Sequence, residues 1–264
     1  MQQNRIQKSS GEEAFVPDIL YEDNHLIVIN KPAPMLSQSD ASGQISLQQH
    51  IKDYIKKRDD KPGNVFLGLV QRLDKPVSGA IVFAKTSKGA KRISEQIRER
   101  RVLKFYLAVT SVPNNFPDAL MRAGNGWIRC HHHLLRKKDK TFVARQPTVN
   151  TQEAILEIKT LFVNPAHGVH LIRLITGRKH QIRAQLAELG MAIVGDTKYG
   201  SRITFGQNRI ALHSCLLKMN HPTRQEPLTI SCSPPESMVS LHDDVEKERM
   251  RASLEKALVE LEQA

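Results

Sequence analysis

The sequence predicts an α+β fold: a mixed, mostly antiparallel sheet with flanking helices. Two observations predict it. Short apolar, β-branched runs outnumber stretches with helical periodicity, and the helical stretches are scattered among them instead of alternating strictly with them. The 264 residues are 40% hydrophobic and 25% charged, enough to bury a sizeable core without disulfides or metals.

The elements follow in order. Residues 1–17 are polar and read as a flexible N-terminal segment. His25 to Asn30 is apolar and β-branched and is closed by Lys31-Pro32, so it reads as a strand. Ser46 to Lys56 spaces Leu47, Ile51 and Ile55 by four, which reads as a helix. Asp59 to Asn64 is a loop, and Gly79 to Ala84 a buried strand. Ser87 is placed to cap a helix running to about Arg101. That helix has Ala90, Ile93 and Ile97 on one face and Lys91, Arg92, Arg98, Arg100 and Arg101 on the other. Leu103 to Thr110, Ala154 to Val163 and Val169 to Ile175 read as strands. A helix from about His180 to Leu189 stops at Gly190. Ile210 to Met219 and Leu228 to Cys232 complete the strands. Residues 18–239 thus form one domain. Residues 240–264 read as a charged amphipathic helix, with Leu241, Val245, Leu254, Leu258 and Leu261, expected to dock on its own body.

Composition narrows the function. No apolar run approaches the ~20 residues of a membrane span, and the N-terminus has no apolar signal core. The three cysteines, Cys130, Cys215 and Cys232, fit neither a zinc knuckle nor a disulfide framework. A cytoplasmic protein is the expectation. The 39 Lys and Arg outweigh 27 Asp and Glu for a net +12. The last 25 residues are net negative by 3, so the body carries +15. Residues 86–106 hold +5 and residues 121–146 hold +6. Such a body favours a polyanionic partner through phosphate contacts.

Three stretches carry candidate chemistry. In Gln71-Arg72-Leu73-Asp74-Lys75-Pro76-Val77-Ser78-Gly79, a carboxylate lies in a turn between bases. It suits a nucleophile, a general base or a metal ligand, and equally an Asp that caps a turn beside a surface Arg. In Gly177-Arg178-Lys179-His180-Gln181-Ile182-Arg183, polar groups cluster at a helix start. His180 and Arg183 share a face there, as an anion site or as a solvated basic edge. In Lys104-Phe105-Tyr106-Leu107-Ala108, alternation puts Lys104 and Tyr106 on one face. Tyr106 can stack on a base, present its hydroxyl, or fill a core. His131-His132-His133 lacks the spacing of converging metal ligands and reads as a loop.

Taken together and in this order, these stretches resemble the RluA-type pseudouridine synthases. The Arg-Leu-Asp followed by Ser-Gly, the Lys-x-Tyr-x-Ala and the Gly-Arg-x-His-Gln-Ile-Arg are all present. So are an opening Leu20-Tyr21-Glu22-Asp23 with Asn30-Lys31-Pro32, a Gly195-Asp196-Thr197-Lys198-Tyr199-Gly200, and Leu212-His213-Ser214. Gln71 stands where the family usually has His. The resemblance spans about residues 18–235 and implies the pseudouridine synthase catalytic fold, without an S4 domain. It implies isomerisation of uridine in rRNA or tRNA, with base flipping and with neither cofactor nor metal. Asp74 would be the catalytic carboxylate, Arg183 its partner, and Tyr106 the residue beneath the uracil. Arg72 would fill the place the base vacates, and Lys104, Arg178, His180 and Gln181 would contact substrate. RNA is the expected partner and a monomer the expected state. A non-catalytic RNA-binding module on the same scaffold is the alternative. A glycoside hydrolase would require a second carboxylate across the site.

Overall fold

A computed structural model describes residues 15–114, 117, 120 and 126–263; residues 1–14 of the expected N-terminal segment and 121–125 of the second basic run lie outside the described residues. Eleven strands form one sheet: β1 (Ile19–Glu22), β2 (Leu26–Lys31), β3 (Gly68–Leu69), β4 (Ser78–Ala84), β5 (Leu103–Ser111), β6 (Ile128–Lys137), β7 (Lys140–Val143), β8 (Thr151–Val163), β9 (His167–Leu174), β10 (Leu212–Asn220) and β11 (Pro227–Ser231). Their order is β1-β2-β4-β10-β5-β9-β8-β6-β7, with β3 against β4 and β11 against β10. Every pairing is antiparallel except β4 with β10, which meet in parallel at Ser78–His213 and Gly79–Ser214. The sheet is α+β, mixed and mostly antiparallel, as the sequence predicts.

Among the described residues the helices are α1 (Leu47–Arg58), α2 (Ser87–Arg98), α3 (Gln181–Glu188), the short α4 (Glu236–Val239) and α5 (Asp244–Gln263). All seven residues of β4 are buried, because α1 and α2 cover its two faces. Leu47, Ile51 and Ile55 join Ile27, Ile29, Ile81 and Phe83 in one cluster. Ile93 joins Leu26, Val28, Val82 and Ala84 in the other. A strand buried on both sides reads as a continuous apolar run, which is how its sequence looks. Gly79 is required here: its φ is +111°, and a Cβ would lie 2.3 Å from the Ser214 carbonyl oxygen.

Four expectations change. The α2 cap is Thr86, whose hydroxyl accepts from the Gly89 N–H, so Ser87 is the first helical residue. Arg92 leaves the exposed basic face to donate to the Pro222 carbonyl at 2.6 Å. The histidine run is no loop: it sits in β6, where alternation sends His132 to Gln185 at 3.0 Å and keeps His131 and His133 together on the other face. In α5 the buried stripe is Met250, Leu254 and Ala257, while Val245 is 77% exposed. The helix packs on its own body: Glu260 meets Lys159 of β8 at 2.9 Å, and Lys218 of β10 donates to the Leu261 carbonyl at 2.7 Å.

Cys130, Cys215 and Cys232 are all buried and unbridged, with burial pushing the Cys130 thiol up to about 11 and that of Cys232 to about 12. Among the described residues no helix is long and apolar enough to cross a membrane. None of their His, Cys, Asp or Glu side chains form a group of three placed to hold a metal ion.

Candidate active site

Asp74 sits in the loop that enters β4, and that loop is clamped from behind. The Ser37 hydroxyl bonds both backbone groups of Leu73, donating to the carbonyl at 2.8 Å and accepting from the N–H at 3.1 Å. The Lys75 carbonyl accepts from the Met35 N–H at 3.0 Å and from Lys31 Nζ at 3.3 Å. Lys31 is fully buried and also donates to the carbonyls of Pro32 and Met35, at 3.1 and 2.8 Å. Burial pushes its ammonium down to about 7, against the opposing pull of Asp74. The Asp74 N-terminal arm is therefore fixed by backbone contacts, while the side chain keeps 26% of its surface open.

Arg183, 109 residues away, rises from the first turn of α3. Its Nη1 donates to Asp74 Oδ2 at 3.0 Å. Its Nε and Nη2 take both oxygens of Asp196, at 2.6 and 2.8 Å. Asp196 is 1% exposed and Arg183 5%. A two-pronged guanidinium–carboxylate pair of this kind fixes direction as well as charge. The neighbouring Gly195 has φ +87°, and a Cβ there would lie 2.5 Å from the Arg209 carbonyl oxygen, so the turn that presents Asp196 needs glycine.

His180 precedes α3 in the left-handed region, with φ +53°, a conformation a non-glycine residue holds only when its surroundings impose it. Its Nε2 is 3.7 Å from Asp74 Oδ2, and its Nδ1 is 2.9 Å from the Tyr199 hydroxyl. Burial holds the imidazole well below its ordinary range, at about 4, despite Asp74. The ring is neutral at physiological pH.

Tyr106 is 6% exposed on β5. It lies opposite Ser214, next to a β-bulge at which β10 gains a residue on β5. Bulges of this kind re-aim side chains beside sites. Burial first, then the charge of Asp74, pushes its phenol above the ordinary value. Lys104, on the same face of β5, makes no hydrogen bond or ion pair among the described residues, and burial lowers its ammonium. It approaches Gly177, where a Cβ would sit 3.6 Å from Nζ.

The structure thus gathers Asp74, Arg183 and His180, with Tyr106 near enough to feel the Asp74 charge. Other expected contacts fall elsewhere. Gln181 is 2% exposed, and its amide is engaged by Thr176 Oγ1, the Arg178 N–H and the Ile155 carbonyl. It braces the turn before α3 from inside. The Arg178 guanidinium donates to the Glu153 carbonyl at 3.0 Å on an exposed edge. Arg72 is exposed and makes no ion pair among the described residues. Gln71 donates weakly to the Ala80 carbonyl at 3.5 Å, and its own amide oxygen is buried with no partner.

Sequence reasoning gave no role to Lys31, Ser37, Asp196 or Tyr199. Three of the four lie inside stretches that carry the family resemblance, which was the only signal for them. A cleft of about 340 Å³ beside these loops, lined by Phe15, Lys31, Ser78, Phe205, Arg209 and His213, includes neither Asp74 nor Tyr106 nor Arg183.

Comparison with known proteins gives the family. A family model described as RNA pseudouridylate synthase matches residues 25–188. Ribosomal large subunit pseudouridine synthase C of Buchnera aphidicola is 30% identical over 220 residues, covering 81% of this chain and 65% of that protein, just under two thirds of its length. tRNA pseudouridine synthase C of Haemophilus ducreyi is 34% identical over 231 residues, covering 81% of this chain and 89% of that protein. The solved structure of human RNA Pseudouridylate Synthase Domain Containing 4 shares the fold, with TM-score 0.67 over 88% of this chain and 92% of that one at 24% identity. The chain belongs to the RNA pseudouridylate synthases of the RluA type, a family of RNA-acting isomerases.

Proposed function

We propose that this chain isomerises uridine to pseudouridine in a structured RNA, rRNA or tRNA, with Asp74 as the catalytic carboxylate. The observation that carries the reading is the one-sided grip on Asp74. Arg183 and His180 both address Oδ2, and Oδ1 accepts no hydrogen bond from the described residues. A carboxylate held in this way keeps one oxygen directed and the other available.

Isomerisation breaks the N1–C1′ bond, turns the uracil, and joins C5 to C1′; C5 loses a proton and N1 gains one. Asp74 Oδ1 serves either as the nucleophile at C1′ or as the base that takes a sugar proton. In both routes the carboxylate gives up its charge as the N1–C1′ electrons leave with the uracil, and Arg183 pairs with the ionised Asp74 and orients it until then. The ring of Tyr106 provides a flat surface for the uracil. Its raised phenol pKa makes it a hydrogen-bond donor at neutral pH and a poor base in the free enzyme.

A uridine inside a helix cannot reach a carboxylate that is only 26% exposed, so the reading includes extrusion of the target nucleotide. Arg72, two residues before Asp74 in the chain, is exposed and has no ion pair among the described residues, and its planar guanidinium can take the vacated place. Lys104, half-buried and without a counter-charge among the described residues, suits a phosphate. The names of the two relatives refer to a ribosomal large-subunit enzyme and a tRNA enzyme, which supports these two RNA classes. Glycoside hydrolysis is disfavoured because the second carboxylate nearby, Asp196, is 1% exposed and has both oxygens on Arg183.

The test is tritium release from C5-tritiated uridine in tRNA and rRNA, assayed separately, with Asp74→Ala alongside. Release from one RNA, abolished in the variant, is expected. RNA binding with no release from either would favour the non-catalytic module.

A further inference from the structure

The turn from Gly195 to Gly200 links two contacts described above. Both of its inward side chains, Asp196 and Tyr199, are buried, and each grips one of the two partners of Asp74. Asp196 holds Arg183 by Nε and Nη2, which fixes the guanidinium plane and leaves Nη1 as the nitrogen directed at Asp74. The Tyr199 ring lies under the same guanidinium, 4.9 Å from its central carbon.

The Tyr199 hydroxyl does a second job. It accepts from the Thr141 N–H at 2.9 Å and meets His180 Nδ1 at 2.9 Å. The Thr141 amide already supplies a hydrogen to the phenol oxygen. The phenol's own hydrogen therefore goes to His180 Nδ1, and the ring carries its hydrogen on Nε2. Nε2 is the nitrogen 3.7 Å from Asp74 Oδ2. The other tautomer would turn a nitrogen lone pair toward a carboxylate oxygen and leave the phenol hydrogen unbonded in a buried place. At 3.7 Å the contact is an electrostatic one, of the kind that tightens when substrate closes a site.

We propose that Asp196 and Tyr199 are positioning residues: Asp196 aims Arg183 Nη1, and Tyr199 fixes His180 as the Nε2–H tautomer, so that both donors hold Asp74 Oδ2 and leave Oδ1 for the sugar. The inference rests on the synthase reading for its kinetic part and on geometry alone for its tautomer part.

The experiment uses the full chain, the C5-tritiated transcripts above, and two variants. Tyr199→Phe keeps the ring under Arg183 and removes the hydroxyl; kcat is expected to fall about tenfold with KM unchanged, the loss of about one hydrogen bond. Asp196→Asn keeps the size and loses one of the two acceptors; kcat is expected to fall about 100-fold, the scale of a misplaced catalytic group. Asp196→Asn risks misfolding, so Tyr199→Phe and the tautomer carry the decision. The ¹³Cδ2 and ring ¹⁵N shifts of His180, assigned by their loss in His180→Asn, should show Nε2–H in the wild type and a mixture in Tyr199→Phe. A structural role alone would lower the melting temperature and leave the tautomer unmoved. The proposal is overturned if His180 is Nδ1–H in the wild type, if its tautomer is indifferent to Tyr199→Phe, or if kcat of that variant stays within twofold. A wild type that releases no tritium would sink the synthase reading, and the tautomer measurement would still decide this one.

Discussion

Arg183 stands between two carboxylates and treats them unequally: Asp196 takes two of its nitrogens and Asp74 only one, at 3.0 Å. The buried pair with Asp196 secures the arginine, and the single contact with Asp74 uses it. Arg183→Lys keeps the charge and loses the fork, which a point-like ammonium cannot reproduce. We expect a kcat loss of about 100-fold or more and a destabilisation of about 3 kcal/mol, since Asp196 would be left buried with a poorer partner. Urea unfolding and single-turnover kinetics on the same preparation measure both.

Lys31 predicts an alkaline gain in stability. Its folded value, about 7, is depressed below the unfolded ~10.4. Above pH 7 the unfolded chain binds more protons at this site than the folded one, so stability rises with pH. The rise should show between about pH 7 and 8.5, before thiols of the unfolded chain ionise. Lys31→Met should flatten it. A slope that is the same in wild type and variant would refute the assignment.

Three buried histidines predict the opposite limb. His170, His180 and His213 are pushed down by burial to about 3, 4 and 4. Unfolded imidazoles titrate near ~6.5, so the unfolded chain binds up to three more protons as pH falls through that value. Stability should fall from about pH 6.5 toward 4.5; these three contribute roughly 4 kcal/mol per pH unit at the limit, and His132, His167 and His242, also held down by burial, add to it. His213→Gln, which keeps partners for Ser78 and the Cys232 carbonyl, should remove about a third of the part these three contribute.

Tyr106 should stay un-ionised through the ordinary phenol range. Its phenol is raised by burial and by Asp74. Tyr106→Phe is expected to leave the 295 nm alkaline titration unchanged below about pH 10. A lost absorbance step there would show an accessible phenol instead, available as a base in the free enzyme.

Arg72 and Lys104 should act on RNA affinity and not on folding. Neither has an ionic partner among the described residues. Each change to Ala should leave the melting temperature in place, weaken RNA binding several-fold, and lower the salt slope of log Kd by about one. An unchanged slope would remove that residue from the phosphate contacts.

How much of this was legible in the sequence differs by element. β4 was, because burial on both faces gives an unbroken apolar run from Gly79 to Ala84. α1 was, because Leu47, Ile51 and Ile55 all point inward and Ser46 caps it. β6 was not. Its inward positions alternate with Arg129, His131 and His133, and one of the inward positions is His132, satisfied by Gln185 from α3. A polar side chain that pairs across layers erases the alternation by which a strand is read. In the site, Asp74 and Arg183 were named together through the family motifs, since no local spacing connects residues 109 apart. Asp196 and Tyr199 were visible as letters in a motif and silent as chemistry, because their work is on other side chains.

The parallel seam between β4 and β10 has a consequence for how the molecule is made. β10 lies between β4 and β5 in the sheet but follows both in the chain by more than a hundred residues. Without β10 the earlier strands fall into two groups, β1-β2-β4 with β3 and β5-β9-β8-β6-β7, with no strand pairing between them and an unpaired edge on each where the seam will form. Pairings of such sequence separation close slowly. The strand pairing that joins the half carrying Asp74 to the half carrying Arg183 runs through β10, so a chain cut short before Leu212 is expected to hold the residues of both halves without assembling the site.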